Sequence, residues 1–496
     1  MSMKGFMERF KKKVSPLTFM RMALALSGIW FLVIYPAMNW FCPNRLPVSL
    51  RPTVCDFGQY YAGATAAKYG IWDALYPTPK PEVYNAPPAF RPKYKTFLFD
   101  ERKINGKQCY YPPISYAEAS DFSPKLVAHC KELKWFSFRY MYPPPLALLL
   151  RPLACFDYET ARKHVWPILS MAALFGLSYF SSRMHRLLRG KVSYIEGLMI
   201  LAFTFYSFRG PTAIEGGNVT PILGFLIAFA AYSWVRGWQV GAGAAMIPLL
   251  LCKAIGLNWC PLLFLGRVRW KTFWTLAFLT VLLNGLMLFW AGIGVYRQFL
   301  FEVLPKVSVP IGYGVVPMIF QAFGFYPAKF YLGLNVLLCL FLYYGYWRGT
   351  KAKGSVDRLV AMAATLAGTI AVFCLLNFPV WMHYFPVYLY FPFLGWLVWE
   401  AMQARGKWRT GIIAGTAIAY VLICDWMIRG LIFYGLGQKY LDAYRDHFVW
   451  TFCPFFYPIF FLIVVFRRLY FAPSVALPPE REGCESAAVS GEPVRR

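Results

Sequence analysis

Asp56 is the residue of this chain best suited to general-base chemistry. It lies in the stretch CDFGQYYAGATAA, where Tyr60 and Tyr61 follow it closely. A carboxylate is ionised at neutral pH and can accept a proton from a hydroxyl group. The competing interpretation is that Asp56 caps the helix that the small residues after it predict. Taken alone, the pattern favours the cap, and both roles stay open at this point.

Two further stretches carry groups that suit a substrate site. Tyr142 opens the sequence YPPPLALLLRP, in which three prolines precede an apolar run too short to cross a bilayer. This segment either dips into the outer leaflet and lines a groove for a lipid chain, or is ordinary interfacial packing. The stretch RGPTAIEGGNVT supplies hydrogen-bonding groups from Arg209, Glu215 and Asn218 beside glycines that allow close approach of a ligand. Its glycine spacing does not match a phosphate-binding loop.

Lys253 and His383 complete the set of candidate residues. Lys253 lies at the turn between two short apolar segments, where a lysine is costly unless it has a partner such as an anionic lipid phosphate. Snorkelling to the headgroups is the alternative. His383 lies where one apolar segment ends and the next begins, and a lone interfacial histidine is more often structural than catalytic. No spacing of Cys, His, Asp or Glu indicates a metal site.

The composition determines which elements must position these residues. The chain of 496 residues is 58% hydrophobic and 19% aromatic, and only 15% of its residues are charged. These values exclude an ordinary soluble protein and indicate an integral membrane protein. The net charge of +28 does not indicate a nucleic-acid partner, because the basic residues form short clusters between apolar runs, as membrane topology requires.

Apolar runs long enough for transmembrane helices recur along the chain. The clearest cover residues 20–41, 161–182, 192–208, 219–235, 272–293, 330–347, 359–376, 385–400, 410–427 and 450–466. Residues 239–252 and 258–266 are each too short and predict a broken or re-entrant pair. With the N-terminus in the cytoplasm, every basic cluster and both termini are cytoplasmic. The predicted fold class is all-α, a polytopic membrane protein of about 10 to 12 transmembrane helices.

The same topology places the longest loop, residues 42–142, on the extracytoplasmic face. Its Pro, Tyr and Phe content predicts short interfacial helices and turns. The loop contains Cys42, Cys55, Cys109 and Cys130, which either form disulfides in an oxidising compartment or remain buried thiols. We expect residues 1–471 to form one membrane domain and residues 472–496 to form a disordered cytoplasmic tail.

Five stretches, taken in order, resemble glycosyltransferase family 87, a family of bacterial membrane enzymes in the GT-C superfamily. The stretches are DFGQYYAGA with YGIWDALY, YPPPLALLLRPLA, EGGNVTPILGFL, CKAIGLNWCPLLFL and MHYFPVYLYFPF. The resemblance extends from residue 21 to residue 393. The best-known members are the polyprenol-phosphate-mannose-dependent α-mannosyltransferases of glycolipid synthesis.

The resemblance implies an inverting transfer of a hexosyl unit, such as mannosyl, or of a pentosyl unit from a polyprenyl-phosphate donor to a lipid or glycan acceptor. The reaction would take place on the extracytoplasmic face of the plasma membrane. Asp56 matches the family's general base and His383 matches an outer-loop histidine near the site, so these two are the expected catalytic residues. Lys253 matches a basic residue after the short apolar helix. With Arg209, Lys253 would stabilise the leaving phosphate. The expected substrate contacts are Tyr60, Tyr61, Tyr142, Arg209, Glu215, Asn218 and Lys253.

Three features depart from the family pattern. The loop that usually has Gly-Gln-Val-Asn is Gly217-Asn218-Val219-Thr220 here, a segment that often has Asp-His-His has His383 alone, and the first loop is long. The expected partners are membrane lipids, the polyprenyl-phosphate-linked sugar and a glycolipid or glycan acceptor, and no cofactor is expected. A transporter or flippase of lipid-linked saccharides is the alternative, which predicts internal repeats and ionisable residues deep in several spans.

Overall fold

The computed structural model describes most of the chain and shows it to be helical. The described residues are 57–76, 78–79, 102–104, 107–109, 120–135, 140–189, 217–253, 255–265, 269–304, 328–352, 355–377, 386–423, 436 and 453–472. The predicted spans 20–41 and 192–208 lie outside them, as does the predicted tail from residue 473 onwards. The helical backbone confirms the predicted all-α fold class.

The α-helices are labelled α1 to α12 in chain order. They are α1 (Phe57–Tyr69), α2 (Pro124–His129), α3 (Pro144–Leu150), α4 (Trp166–Arg189), α5 (Thr220–Arg236), α6 (Gln239–Lys253), α7 (Trp270–Gln298), α8 (Ala328–Ala352), α9 (Ser355–Asn377), α10 (Phe391–Gln403), α11 (Gly406–Ile423) and α12 (Cys453–Phe466). The 3₁₀-helices are Trp72–Ala74, Lys131–Trp135, Arg151–Cys155 and Ile255–Leu263. The π-helical turns are Ala161–Val165, preceded by the α-helical turn Tyr158–Thr160, and Phe299–Val303, Pro386–Tyr390 and Arg467–Phe471.

The long first loop also contains two short antiparallel strand pairs, which the sequence analysis did not predict. Strand β1 (Thr78–Pro79) pairs with β4 (Ser120–Asp121), and β2 (Arg102–Ile104) pairs with β3 (Lys107–Cys109). The β1–β4 pair joins the two ends of a long excursion of the chain, so it brings the segment after α1 close to the segment before α2.

The predicted spans that fall within the described residues each correspond to a helix. By length and apolar composition, three helices of the described part can cross a membrane, namely Tyr158–Leu188, Trp270–Val303 and Arg358–Leu376. Shorter apolar helices are Pro144–Cys155, Thr220–Arg236 and Gln239–Cys252. Helices of this length and composition are typical of membrane proteins, and the chain is one.

The short pair at residues 239–266 is a helix followed by a tighter return segment. Helix α6 has 15 residues, a length of about 22 Å, whereas the hydrocarbon core is about 30 Å thick. The 3₁₀-helix Ile255–Leu263 follows it, and Arg269 N–H then donates to the carbonyl of Leu263. The Arg269 guanidinium donates to the carbonyl of Trp234, 3.2 Å away near the end of α5. The chain therefore leaves the pair close to where α5 ends.

Helix α7 is sharply kinked at Gly292. This residue has φ 72° and ψ 176°, a region of backbone conformation that only glycine adopts readily. Tyr296 hydroxyl donates to Asn284 Oδ1 at 2.6 Å, although a straight helix would separate residues twelve apart by about 18 Å. The limb before Gly292 runs from Trp270 to Ala291, in agreement with the predicted span 272–293.

We expect Gly292→Ala to destabilise the protein by about 1–3 kcal/mol, because alanine is strained at this φ and ψ. A Cβ at this position meets no atom within 4 Å, so the cost comes from the backbone alone. Gly294→Ala is the matched control, since Gly294 has equally open surroundings and lies in helical backbone. It should be neutral or stabilise by up to about 1 kcal/mol. Unfolding of the purified protein in detergent measures both, and equal stability of the two variants would contradict the positive φ at Gly292.

Helix α1, expected at the membrane surface, is enclosed by protein on every side. All residues from Phe57 to Ala67 are buried. The helix contacts α3 and the 3₁₀-helix Arg151–Cys155. A Cβ on Gly63 would lie 2.5 Å from the ring of Tyr140, so only glycine allows this approach. The residue after Asp56 therefore begins a helix inside the fold.

Cys130 is a free, buried thiol in the structure. Its Sγ donates to Glu132 Oε2 at 3.2 Å, and burial raises the pKa of the thiol to about 12. A thiol with such a high pKa is mostly protonated at neutral pH and therefore reacts slowly. Cys42 and Cys55, two of its potential partners, lie outside the described residues.

Candidate active site

The turn at residues 140–143 carries two tyrosines of the candidate site, Tyr140 and Tyr142, and hydrogen bonds hold it in place. Tyr140 hydroxyl donates to the carbonyl of Pro143 at 3.1 Å, and Tyr76 hydroxyl donates to the carbonyl of Tyr142 at 2.9 Å. Pro143 is extended, with φ −54° and ψ 147°, because a proline follows it. Helix α3 begins at the next residue, where proline is favoured. Burial raises the pKa of Tyr140 well above its ordinary value, so the hydroxyl stays protonated.

Tyr60 and Tyr142, both predicted substrate contacts, contact each other. Their hydroxyl oxygens are 3.1 Å apart, and their rings stack with centroids 5.6 Å apart. Tyr60 also stacks on Trp166, the first residue of α4, with centroids 5.3 Å apart. Both tyrosines are buried. This layer of three rings fixes α1 relative to the turn at 140–143 and to α4.

Tyr61, the third predicted tyrosine, joins α1 to the segment at residues 156–158. Its hydroxyl donates to the carbonyl of Phe156 at 2.8 Å, and its ring meets Tyr158 edge to face. Burial raises the pKa of Tyr61 well above its ordinary value. The hydroxyl of Tyr61 is therefore a neutral donor to the backbone at physiological pH.

Asn218 lies in the loop before α5, and its hydrogen bonds to Thr220 hold this loop against the first residue of the helix. Gly217 has φ 63°, in the left-handed region that favours glycine. Asn218 Oδ1 accepts a hydrogen bond from Thr220 N–H at 2.9 Å and another from the Thr220 hydroxyl. Thr220 Oγ1 also lies 3.1 Å from the hydroxyl of Tyr388. Asn218 and Thr220 are both buried.

The end of α6 lies at the same place. Lys253 is the last residue of this helix. Helix α6 contacts α3, which follows the turn at 140–143, and its residue Cys252 is buried in the same hydrophobic core as Tyr140 and Tyr388. Helix α5, which Thr220 begins, contacts both α6 and the π-helical turn Pro386–Tyr390. Tyr388 therefore links the π-helical turn Pro386–Tyr390 to the other segments.

Four predicted site residues, Asp56, Arg209, Glu215 and His383, lie outside the described residues. The described segments next to them do belong to the candidate site, a cluster of side chains that includes Tyr60, Tyr142, Thr220 and Tyr388. Helix α1 begins directly after Asp56, Gly217 follows Glu215, and the turn Pro386–Tyr390 begins shortly after His383. The structure therefore brings together five segments, which are α1, the turn at 140–143, the loop at 217–220, α6 and the turn Pro386–Tyr390.

Thr220 and Tyr388 are two members of this cluster that sequence reasoning missed. Both stand in quoted stretches, EGGNVTPILGFL and MHYFPVYLYFPF, but neither carries a charge or a motif that singles it out. The only available signal was the departure from Gly-Gln-Val-Asn at residue 220. No group of three or more His, Cys, Asp or Glu suited to a metal occurs among the described residues.

The fold and this cluster define a polytopic α-helical membrane protein whose candidate site lies where several helix ends meet. Residues 140–379 match the model of glycosyltransferase family 87. The match confirms the resemblance to that family and indicates a glycosyltransferase. It includes Tyr142, Asn218 and Lys253, begins after Asp56 and ends before His383. Comparisons with curated proteins and with solved structures gave no significant match.

Proposed function

We propose that the protein transfers a mannosyl, other hexosyl or pentosyl unit from a polyprenyl-phosphate donor to a lipid or glycan hydroxyl. The observation that supports this most strongly is the packing of five segments against one another, with the hydrogen bonds of Tyr60 to Tyr142 and of Thr220 to Tyr388 between them. These segments carry or adjoin the residues that the sequence assigns to the reaction. The family match adds the reaction class, since it indicates a glycosyltransferase.

In the proposed reaction, the acceptor oxygen bonds to the anomeric carbon as the bond from that carbon to the phosphate oxygen breaks. Asp56 takes the proton of the acceptor hydroxyl, and polyprenyl phosphate leaves with the bonding electron pair. Lys253 and Arg209 stabilise the charge that grows on the phosphate, an interaction that a water-poor site strengthens. His383 borders the site. Attack from one face inverts the anomeric carbon, and the phosphate ester is already activated, so the scheme requires no cofactor.

The remaining proposed contacts are of two kinds. Asn218 and Glu215 would offer polar groups to the sugar or the acceptor. Tyr60, Tyr61 and Tyr142 form the packed aromatic wall behind these groups, because their hydroxyls bond within the protein. Membrane lipids, the lipid-linked sugar and the acceptor are therefore the proposed partners.

Helix α5 supports an extracytoplasmic position for the site in the plasma membrane. Thr220, which belongs to the cluster, begins this helix, and Arg236 ends it. The helix has 17 residues, so its ends are about 25 Å apart. The guanidinium of Arg269 also lies at the Arg236 end, over the ring of Trp234. Because basic residues favour the cytoplasmic side, the opposite end of α5 faces outwards in the proposed orientation.

The test is sugar transfer by the purified full-length chain in proteoliposomes. Polyprenyl-phosphate sugars with a radiolabelled sugar are supplied together with candidate lipid and glycan acceptors. A labelled product of inverted anomeric configuration is expected. Movement of the intact donor across the bilayer without a new glycosidic bond would overturn the proposal in favour of a flippase. A short-chain, water-soluble donor should be used from the outer face of oriented vesicles and not from the inner face.

A further inference from the structure

A row of buried polar groups joins two segments of the candidate site. Tyr388 hydroxyl lies 3.1 Å from Thr220 Oγ1, and the Thr220 hydroxyl bonds to Asn218 Oδ1. Tyr388 and Thr220 are fully buried, and Asn218 is nearly so. The row connects the loop before α5 with the π-helical turn Pro386–Tyr390, across 168 residues of sequence.

The direction of each hydrogen bond follows from the donors present. A backbone N–H can only donate, so the Asn218 atom that accepts from Thr220 N–H is the amide oxygen. Thr220 has one hydroxyl proton, and this proton goes to the same oxygen. Tyr388 must therefore be the donor to Thr220. Two bonds to one oxygen fix the plane of the Asn218 amide, and its NH₂ group then points in one direction.

We propose that Tyr388 is a positioning residue for glycosyl transfer, holding the Asn218 amide through Thr220 in the orientation that meets the sugar substrate. This inference rests on the proposed function and deepens it. Loss of the Tyr388 hydroxyl would leave the fold intact but would release the loop at 217–220. A displacement of about 1 Å at a reacting centre can reduce a rate by about a hundredfold. We therefore expect Tyr388→Phe to lower the rate of sugar transfer more than the stability of the protein.

Two features of the chain support this assignment. Asn218 and Thr220 are the positions where the loop departs from the Gly-Gln-Val-Asn pattern, and they are also the residues that bond to each other and to Tyr388. The residue that presents the hydroxyl belongs to a π-helical turn. Such turns are rare and frequently occur at functional sites.

Tyr390 provides a matched control in the same turn. It is also fully buried, and its hydroxyl donates to the carbonyl of Thr416 at 3.0 Å. Tyr390→Phe removes a buried hydroxyl and its bond to Thr416, just as Tyr388→Phe removes a buried hydroxyl and its bond to Thr220. The two variants therefore share the structural cost and differ in their connection to Asn218.

The experiment compares steady-state transfer by wild type and variants, with the donor and acceptor that wild type uses. Tyr388→Phe and Thr220→Val should each lower kcat/KM at least about tenfold. Thr220→Ser, which keeps the hydroxyl, should restore activity close to wild type, and Tyr390→Phe should not lower it. The double variant Tyr388→Phe with Thr220→Val should be no slower than the slower single variant, because both substitutions interrupt the same row of hydrogen bonds. Wild-type kinetics in Tyr388→Phe would overturn the inference.

A second measurement does not depend on activity. Hydrogen exchange of the peptide covering residues 217–223 should be faster in Tyr388→Phe than in wild type and unchanged in Tyr390→Phe. Unchanged exchange in Tyr388→Phe would overturn the positioning role. If wild type transfers no sugar, the proposed function fails, and the exchange data still decide whether the row holds the loop. Equal losses of kcat/KM and of unfolding temperature in both tyrosine variants would show a merely structural role.

Discussion

Asp56→Asn is expected to slow sugar transfer by at least about a hundredfold without a change in the unfolding temperature. Asparagine has no carboxylate to accept the acceptor proton, but it caps a helix about as well as aspartate does. Helix α1 begins at the next residue, Phe57, so any capping role would survive this substitution. Transfer rate and stability, measured on the same preparation, therefore separate the two roles that the sequence leaves open.

Asp73→Asn is the matched control for charge in the same long loop, residues 42–142. The Asp73 carboxylate pairs with the Lys125 ammonium, and its side chain is 64% exposed. An exposed pair contributes about 0–1 kcal/mol, so this variant should keep wild-type transfer and stability. Unchanged transfer in Asp56→Asn would remove Asp56 from the mechanism. Equal losses in both variants would show a general effect of negative charge on the outer face.

The elements that could be predicted from the sequence are those that local properties determine. The length and apolarity of residues 272–293 predicted a span, and the structure ends that limb of α7 at Gly292. The shortness of residues 239–252 likewise predicted a helix unable to cross, and α6 has 15 residues. Hydropathy over a window of neighbours is sufficient for both, since the bilayer imposes the required length.

The contacts that build the candidate site could not be predicted in this way. Tyr60 meets Tyr142 across 82 residues, and Thr220 meets Tyr388 across 168. The chain is 19% aromatic, so an aromatic residue in a stretch does not indicate which other ring it will contact. The sequence therefore indicated which segments matter, whereas the structure shows which hydroxyl groups bond within the protein.

Arg467 and Arg468 show a similar limit of sequence reasoning. As a basic cluster after the last span they served only to orient the chain. The structure pairs both with Glu400, in the last turn of α10. Arg467 Nη1 and Arg468 Nη2 lie 3.1 and 2.8 Å from Glu400 Oε2, and Arg468 Nε donates to Oε1. The partner is 67 residues away from Arg467, so no local pattern reveals it.

Glu400→Gln is expected to destabilise the protein by about 3–5 kcal/mol, the largest stability loss among the variants considered. The carboxylate is fully buried, and the side chains of Arg467 and Arg468 are 8% and 7% exposed. An amide removes the negative charge with which both guanidinium groups pair. Arg467 stacks on Trp408 and Arg468 stacks on Trp399. These contacts hinder the two guanidinium groups from rotating towards solvent. Thermal unfolding in detergent measures the loss.

Glu159→Gln is the control for this effect, because Glu159 also pairs with two cations, Arg162 and Lys163, but its own side chain is 45% exposed. Its loss should cost no more than about 1 kcal/mol. A triple variant with Glu400→Leu, Arg467→Met and Arg468→Met tests the physical cause. Replacing every member of a buried ion cluster by apolar side chains is often neutral or stabilising, so this variant should be more stable than Glu400→Gln. If Glu400→Gln and Glu159→Gln unfolded at the same temperature, the buried cluster would contribute nothing to joining the C-terminal helix to α10.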